Sequence, residues 1–159
     1  MKPRPFYLAV DMDDTLRMRD GWHTDVKDSA EGRPNHEVIA LVRGLHAKGW
    51  RIILWTCRPI TEGLKQWCKD HDVPIDFYNE NPEAIEWFKE QFGFSNWSHK
   101  VFADVYLDDS AFNPFSVFIR LVPHPLDGEM SVEDAVEFIH NFAARRHAEK
   151  MKKDVEESK

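Results

Sequence analysis

The sequence predicts an α/β fold, a parallel sheet covered by helices on both faces. Three observations carry that expectation. Short apolar runs alternate along the chain with segments of helical period. The runs at residues 6–10 and 51–56 are apolar through their centres rather than alternating, as in strands buried on both sides. Two runs stop abruptly in acids, at Asp11-Met12-Asp13-Asp14 and at Asp108-Asp109.

In chain order, residues 6–10 form the first expected strand. Residues 16–34 are polar, carry Gly21 and Gly32, and read as a loop or small hairpin flap. Pro34 is expected to open a helix, as proline can in a first turn. Val38, Ile39, Leu41, Val42 and Leu45 supply its apolar face, and Gly49 ends it. Residues 51–56 are the second strand. Thr61 caps a second helix that turns Leu64, Trp67 and Cys68 inward. Residues 73–77 are a weak third strand. Pro82 begins a third helix with Ile85, Trp87 and Phe88, residues 101–107 are a fourth strand, and residues 117–122 a fifth. Ser131 caps a last helix through about residue 146, aided by Glu133 and Asp134 in its first turn. One domain is expected over residues 1–147, followed by a charged, frayed tail over 148–159.

The chain has 159 residues, of which 42% are hydrophobic and 13% aromatic, so one domain can bury a full core. Its net charge of -7 excludes a generally basic surface for nucleic acid, while leaving room for a local basic pocket. No apolar run approaches the roughly 18 residues of a membrane span. Residues 1–6 lack the long apolar stretch of a secretory signal. Cys57 and Cys68 show no metal-ligand spacing and read as reduced thiols of a cytoplasmic protein.

In parallel α/β sheets, ligands gather beyond the carboxyl ends of the strands. Asp11 and Asp13 follow the first strand, Thr56 closes the second, and Asp108 and Asp109 follow the fourth. If these strands are neighbours, all five converge on one edge. Three carboxylates within four residues repel one another, and a hard divalent cation such as Mg2+ is the simplest relief. Asp11 and Asp13 are two apart and lean to one side in an extended chain.

This set suits attack on a phosphate monoester, an electrophile already shielded by negative charge. Asp11 can be the nucleophile, forming an aspartyl-phosphate. Asp13 can act as acid and then as base. A metal held by Asp11, the Asp13 carbonyl and the Asp108/Asp109 pair can screen the repulsion. Thr56 offers a hydroxyl and an amide to a phosphoryl oxygen. Lys100 can bring its ammonium to the phosphate and to Asp11. Arg58 can reach the substrate phosphate or a second anionic group, or stand in a surface salt bridge.

These residues resemble the motifs of the haloacid dehalogenase superfamily of phosphatases. Its first motif, a strand followed by Asp-x-Asp-x-Thr/Val, is met by Asp11-Met12-Asp13-Asp14-Thr15. Its second, a strand ending in Thr or Ser, is met by Ile52-Ile53-Leu54-Trp55-Thr56. Its lysine is matched to Lys100, with Lys65 as a rival. Its final acidic pair is met by Val105-Tyr106-Leu107-Asp108-Asp109. The resemblance covers about residues 6–122 and implies a Rossmann-like fold, Mg2+ dependence and a covalent phospho-aspartate. It favours Asp109 over Asp108 as the direct metal ligand. Residues 98–109 are similar to small capless members and to the 5'(3')-deoxyribonucleotidases. Neither place where the superfamily inserts a specificity cap has length for a helical one. The site is therefore expected to be open, shaded only by a flap carrying Trp22 and His23.

Plainer readings stand beside these. An EF-hand loop starting at Asp11 would need Gly at its sixth position and Glu at its twelfth, where Leu16 and Trp22 stand. Trp55 is expected in the core. Cys57, next to the site, reads as a small buried residue that lines the substrate position, with no histidine placed to activate it. The expected activity is Mg2+-dependent phosphomonoester hydrolysis of a small metabolite, a nucleotide or sugar phosphate. A polynucleotide 3'-phosphatase, a protein phosphatase and a non-catalytic binding domain of the same fold are the alternatives. A second copy of the chain is a candidate to close an open site.

Overall fold

Residues 4–18, 32–93, 100–108 and 131–157 are described by the structure, a computed structural model. The chain separates into two compact units, Met1–Ala111 and Phe112–Lys159. The first holds β1 (Tyr7–Val10), β2 (Arg17–Met18), β3 (Arg33–Pro34), α1 (His36–Ala47), β4 (Arg51–Leu54), α2 (Glu62–Asp70), β5 (Phe77–Tyr78), α3 (Pro82–Phe92) and β6 (Val105–Leu107). The second holds α4 (Val132–Glu157). Among the described residues no helix is long and apolar enough to cross a membrane.

Four strands form one parallel sheet in the order β5-β4-β1-β6. β1 lies inside it and is buried along its whole length, which is why its run is continuously apolar. The chain steps from β1 to β4 to β5 on one side, then crosses back to lay β6 on the other side of β1. Right-handed crossovers therefore put α1 and α2 on one face and α3 on the other. On the α3 face, Tyr7, Ala9 and Ile53 bury with Ala84, and Phe88, Phe102 and Tyr106 pack against them.

Local chemistry sets the helix ends. Asn35 caps α1, its side chain accepting from Val38 N at 3.4 Å, so the helix opens at His36 and not at Pro34. Pro34 instead lies in β3, paired with Arg17 of β2. Thr61 caps α2, accepting from Leu64 N at 3.2 Å. Asn81 caps α3 ahead of Pro82, accepting from Ala84 N at 3.0 Å. Ala84, rather than Ile85, Trp87 or Phe88, is the residue that α3 buries fully.

Two strands begin later than their apolar runs. Residues 73–76 and 101–104 are not strand; β5 starts at Phe77 and β6 at Val105. A carboxylate precedes each start. Asp76 accepts Ile52 N at 2.7 Å, and Asp104 accepts Tyr7 N at 2.9 Å. A side chain thus takes the ladder amide that a strand carbonyl would otherwise take. Both acids are paired with arginine: Asp104 by a two-pronged contact with Arg4 at 2.7 and 2.6 Å, Asp76 by Arg51 at 3.3 Å.

The expected flap over 16–34 begins and ends as the antiparallel pair β2–β3. Trp22, His23 and the expected strand over 117–122 lie outside the described residues. Ser131 caps α4 as expected, accepting from Asp134 N at 3.1 Å. The helix does not stop near residue 146 but runs to Glu157. Glu, Lys, Met and Ala propagate a helix well, so a charged segment need not fray.

Asn81 also donates to Phe102 O at 2.8 Å, joining the α3 cap to the segment that feeds β6. Asn81→Ala removes the cap and leaves a carbonyl without that donor. It should lower stability by about 2 kcal/mol in urea unfolding, with the slope unchanged.

Candidate active site

Because the four strands are parallel, their carboxyl ends share one edge, and the ladder continues one residue past β1, β4 and β5. Asp11 N donates to Leu107 O at 2.9 Å, Trp55 N to Val10 O at 2.9 Å, and Asn79 N to Leu54 O at 2.8 Å. Val10 is register-paired with both Leu54 and Leu107, so Asp11, Trp55 and Asp108 stand level on neighbouring strands. The strand order reverses between β1 and β6, and Asp11 and Asp108 flank that reversal, where open α/β sheets form their binding crevice. Asp109 lies outside the described residues. Lys100 is exposed at the start of the segment that leads through Phe102 into β6. Its rival Lys65 pairs with Glu62 on the surface of α2 at 2.7 Å.

Beyond β1 the chain makes a tight loop. Asp14 takes a left-handed conformation (φ 59°), its amide donates to Arg17 O at 2.7 Å, and Arg17 N donates back to Met12 O at 2.8 Å. Met12 and Leu16 are fully buried and anchor the loop. Asp11 and Asp13 are both only partly buried on either side of Met12, as two-residue spacing predicts.

Asp13 is held by two guanidinium groups. Arg17 Nη2 donates to one carboxylate oxygen at 2.7 Å, and Arg58 Nε donates to the other. Burial works against the charged carboxylate, but hydrogen bonds and charge from Arg17 and Arg58 outweigh it and hold its pKa below the ordinary value. The two partners differ in access. The Arg17 side chain is 2% exposed and the Arg58 side chain 23%. Arg17 is boxed in: a Cβ built on Gly32 would fall 2.6 Å from Arg17 Cγ, and the backbone there has φ 116°. Gly32 O in turn accepts from Trp67 Nε1 at 3.3 Å. Arg58 is thus in an ion pair at the site rather than in a salt bridge on the outer surface.

Thr56 is nearly buried, and its hydroxyl accepts Arg58 N at 3.2 Å. Its amide is already used. Asn79 Oδ1 accepts Thr56 N at 2.8 Å while Asn79 Nδ2 donates to Thr56 O at 2.9 Å. The hydroxyl, not the amide, is what Thr56 can offer a ligand, which corrects the sequence expectation. Asn79 tolerates the left-handed backbone (φ 54°) that brings its side chain back onto Thr56.

Two further expectations are corrected. Cys57 is exposed, while Cys68 is buried. The residue after Thr56 has left the sheet, so no strand neighbours cover it. Trp55 is 36% exposed and meets the Tyr106 ring edge-on at 5.2 Å, because its indole stands beyond the last full rung of the sheet. Sequence reading missed Arg17 and Asn79. Arg17 lies four residues from Asp13 inside a segment read only as polar flap, and Asn79 in a segment read only as a turn.

Among the described residues, no group of three or more His, Cys, Asp or Glu is arranged to hold a metal ion. Asp11 and Asp108 are oxygen donors level on neighbouring strands, and oxygen donors are the chemistry that Mg2+ prefers. The Asp13 carboxylate is committed to arginine instead.

No protein-family model and no curated protein matches the chain. The solved structure of a conserved protein from Bacteroides thetaiotaomicron is similar over 74% of this chain and 90% of that one, at 21% identity and a TM-score of 0.49.

Gly32→Ala must displace the Arg17 stem and strain the backbone, and should cost more than about 1 kcal/mol in urea unfolding. Burial pushes the Cys68 thiol up to about 11, with Arg17 opposing weakly. A thiol reagent at neutral pH should therefore modify Cys57 in the native protein and Cys68 only after unfolding. Because the Asp13 pKa is lowered by folding, its share of stability is present above the ordinary carboxylate range and is lost as pH falls through the lowered value. Asp13→Asn should flatten the acid side of a stability-versus-pH curve.

Proposed function

We propose that this chain is a phosphomonoester hydrolase of the haloacid dehalogenase type, dependent on Mg2+ and acting through Asp11 on a small phosphorylated metabolite. The observation that carries this reading is that Asp11 and Asp108 stand level on neighbouring strands at the reversal of strand order, with Asp13, Thr56 and Arg58 on the same edge.

In the first half-reaction an Asp11 carboxylate oxygen attacks phosphorus. The bond to the leaving oxygen breaks, and that oxygen takes a proton from Asp13. In the second, Asp13 accepts a proton from water as it attacks the phospho-aspartate, and the bond to Asp11 breaks to release inorganic phosphate. The Thr56 hydroxyl and the Arg58 guanidinium bind phosphoryl oxygens, and Lys100 adds positive charge. Asp11, Asp108, Asp109 and the Asp13 carbonyl would hold Mg2+, which when bound offsets the charge between nucleophile and phosphate. Asp13 rests ionised, so its turn as an acid requires its Arg58 contact to loosen and a proton to be taken up from solvent before the leaving oxygen departs.

Turnover of p-nitrophenyl phosphate with Mg2+ should be abolished by EDTA and by Asp11→Asn, with the Asp11→Asn protein still folded by circular dichroism. Unchanged turnover in that variant would rule out the covalent step. Asp13→Asn should slow hydrolysis of alkyl phosphates far more than of p-nitrophenyl phosphate, whose leaving oxygen needs no proton. An equal loss for both would remove Asp13 from the acid role.

A further inference from the structure

The two arginines on Asp13 are not equivalent, and the difference suggests a division of labour. Arg17 approaches from within. It is 2% exposed, and the Gly32 backbone fills the space beside its stem. Leaving Asp13 would break a buried ion pair, which is strongly unfavourable. Arg58 approaches from the open side. It is 23% exposed and stands two residues past Thr56, on the edge where Asp11 and Asp108 also emerge. Among the described residues, Asp13 is the one acid that its side chain meets. That contact is made through Nε, one of the five donors of a planar fork built to grip oxyanions.

We propose that Arg58 is an exchangeable arm, parked on Asp13 until a monoester arrives and then transferred to its phosphoryl oxygens, while Arg17 keeps Asp13 in place. This rests on the phosphatase reading and adds a self-inhibiting contact to it: Asp13 competes with the substrate anion for Arg58. Apparent anion affinity is then reduced by the fraction of Arg58 already taken. The exchange conserves ion pairs. One guanidinium leaves one carboxylate for one phosphoryl group, and Asp13 is never left without a cation.

The test is equilibrium binding of inorganic phosphate to the full chain, with p-nitrophenyl phosphate turnover of the wild type measured beside it. Asp13→Asn should tighten phosphate binding about five-fold, the factor expected for releasing a partly exposed ion pair. In an Arg58→Ala background the same change should matter less than about two-fold. Equal tightening in both backgrounds would mean only that a negative charge had been removed, and would overturn the exchange. Because Asp13→Asn strips Arg17 of a buried partner and can unfold the chain, a second measurement uses the wild type. The Arg58 Nε–H resonance, assigned by its loss in Arg58→Lys, should move on adding phosphate while that of Arg17 stays. If neither moves, or both move alike, the exchange is wrong. Turnover without coupling sinks the exchange and spares the phosphatase. Coupling without turnover sinks the phosphatase reading and leaves an anion-gated arginine.

Discussion

Parallel strands must all end on the same side, and that constraint organises this molecule. Once β1 pairs with β4 on one flank and β6 on the other, whatever follows Val10, Leu54 and Leu107 is delivered to one rim at one height. Three stretches of chain that are far apart in sequence then meet without any contact designed to join them. The backbone hydrogen bonds at Asp11, Trp55 and Asn79 extend the ladder by one residue and tie the rim together. A slip of one residue in β1 would turn Asp11 to the opposite face of the sheet.

The chain uses aspartate in two physically distinct ways, and the edge of the sheet decides which. At the amino edge, Asp76 and Asp104 take the ladder amides of neighbouring strands and are neutralised by Arg51 and Arg4. Every bond they make is to the protein itself, and they start strands. At the carboxyl edge, Asp11 and Asp108 stand where strand order reverses. Asp13 stands between these cases. Its charge is balanced like that of a structural acid, yet one of its two arginines lies within reach of solvent. Such half-committed pairs are where binding energy can be converted into rearrangement, because a ligand that offers a better anion has something to displace.

Much of the fold was legible in the residues because the deciding physics is local. The continuous apolar runs marked β1 and β4, and the hydroxyls of Thr61 and Ser131 marked helix starts that the structure bears out. The failures are equally specific. Apolar character alone put the starts of β5 and β6 too early, because nothing in Val73 or Val101 reveals that an aspartate side chain will take the neighbouring strand's amide. Pro34 looked like a first helical turn until Asn35 took the cap. Trp55 looked buried because its neighbours are, although the sheet ends beneath it.

The sequence by itself determined the buried strands β1 and β4 and the acids that end the first apolar run, since composition, period and the abrupt ends of apolar runs are properties of neighbours along the chain. Tertiary structure alone decided who is whose partner. That Arg17 lies buried against Asp13, that Gly32 leaves room for its stem, and that Asn79 occupies the amide of Thr56 all depend on distances between segments separated by loops. Electrostatic energy falls with distance and rises with burial, and neither quantity is written in the order of residues.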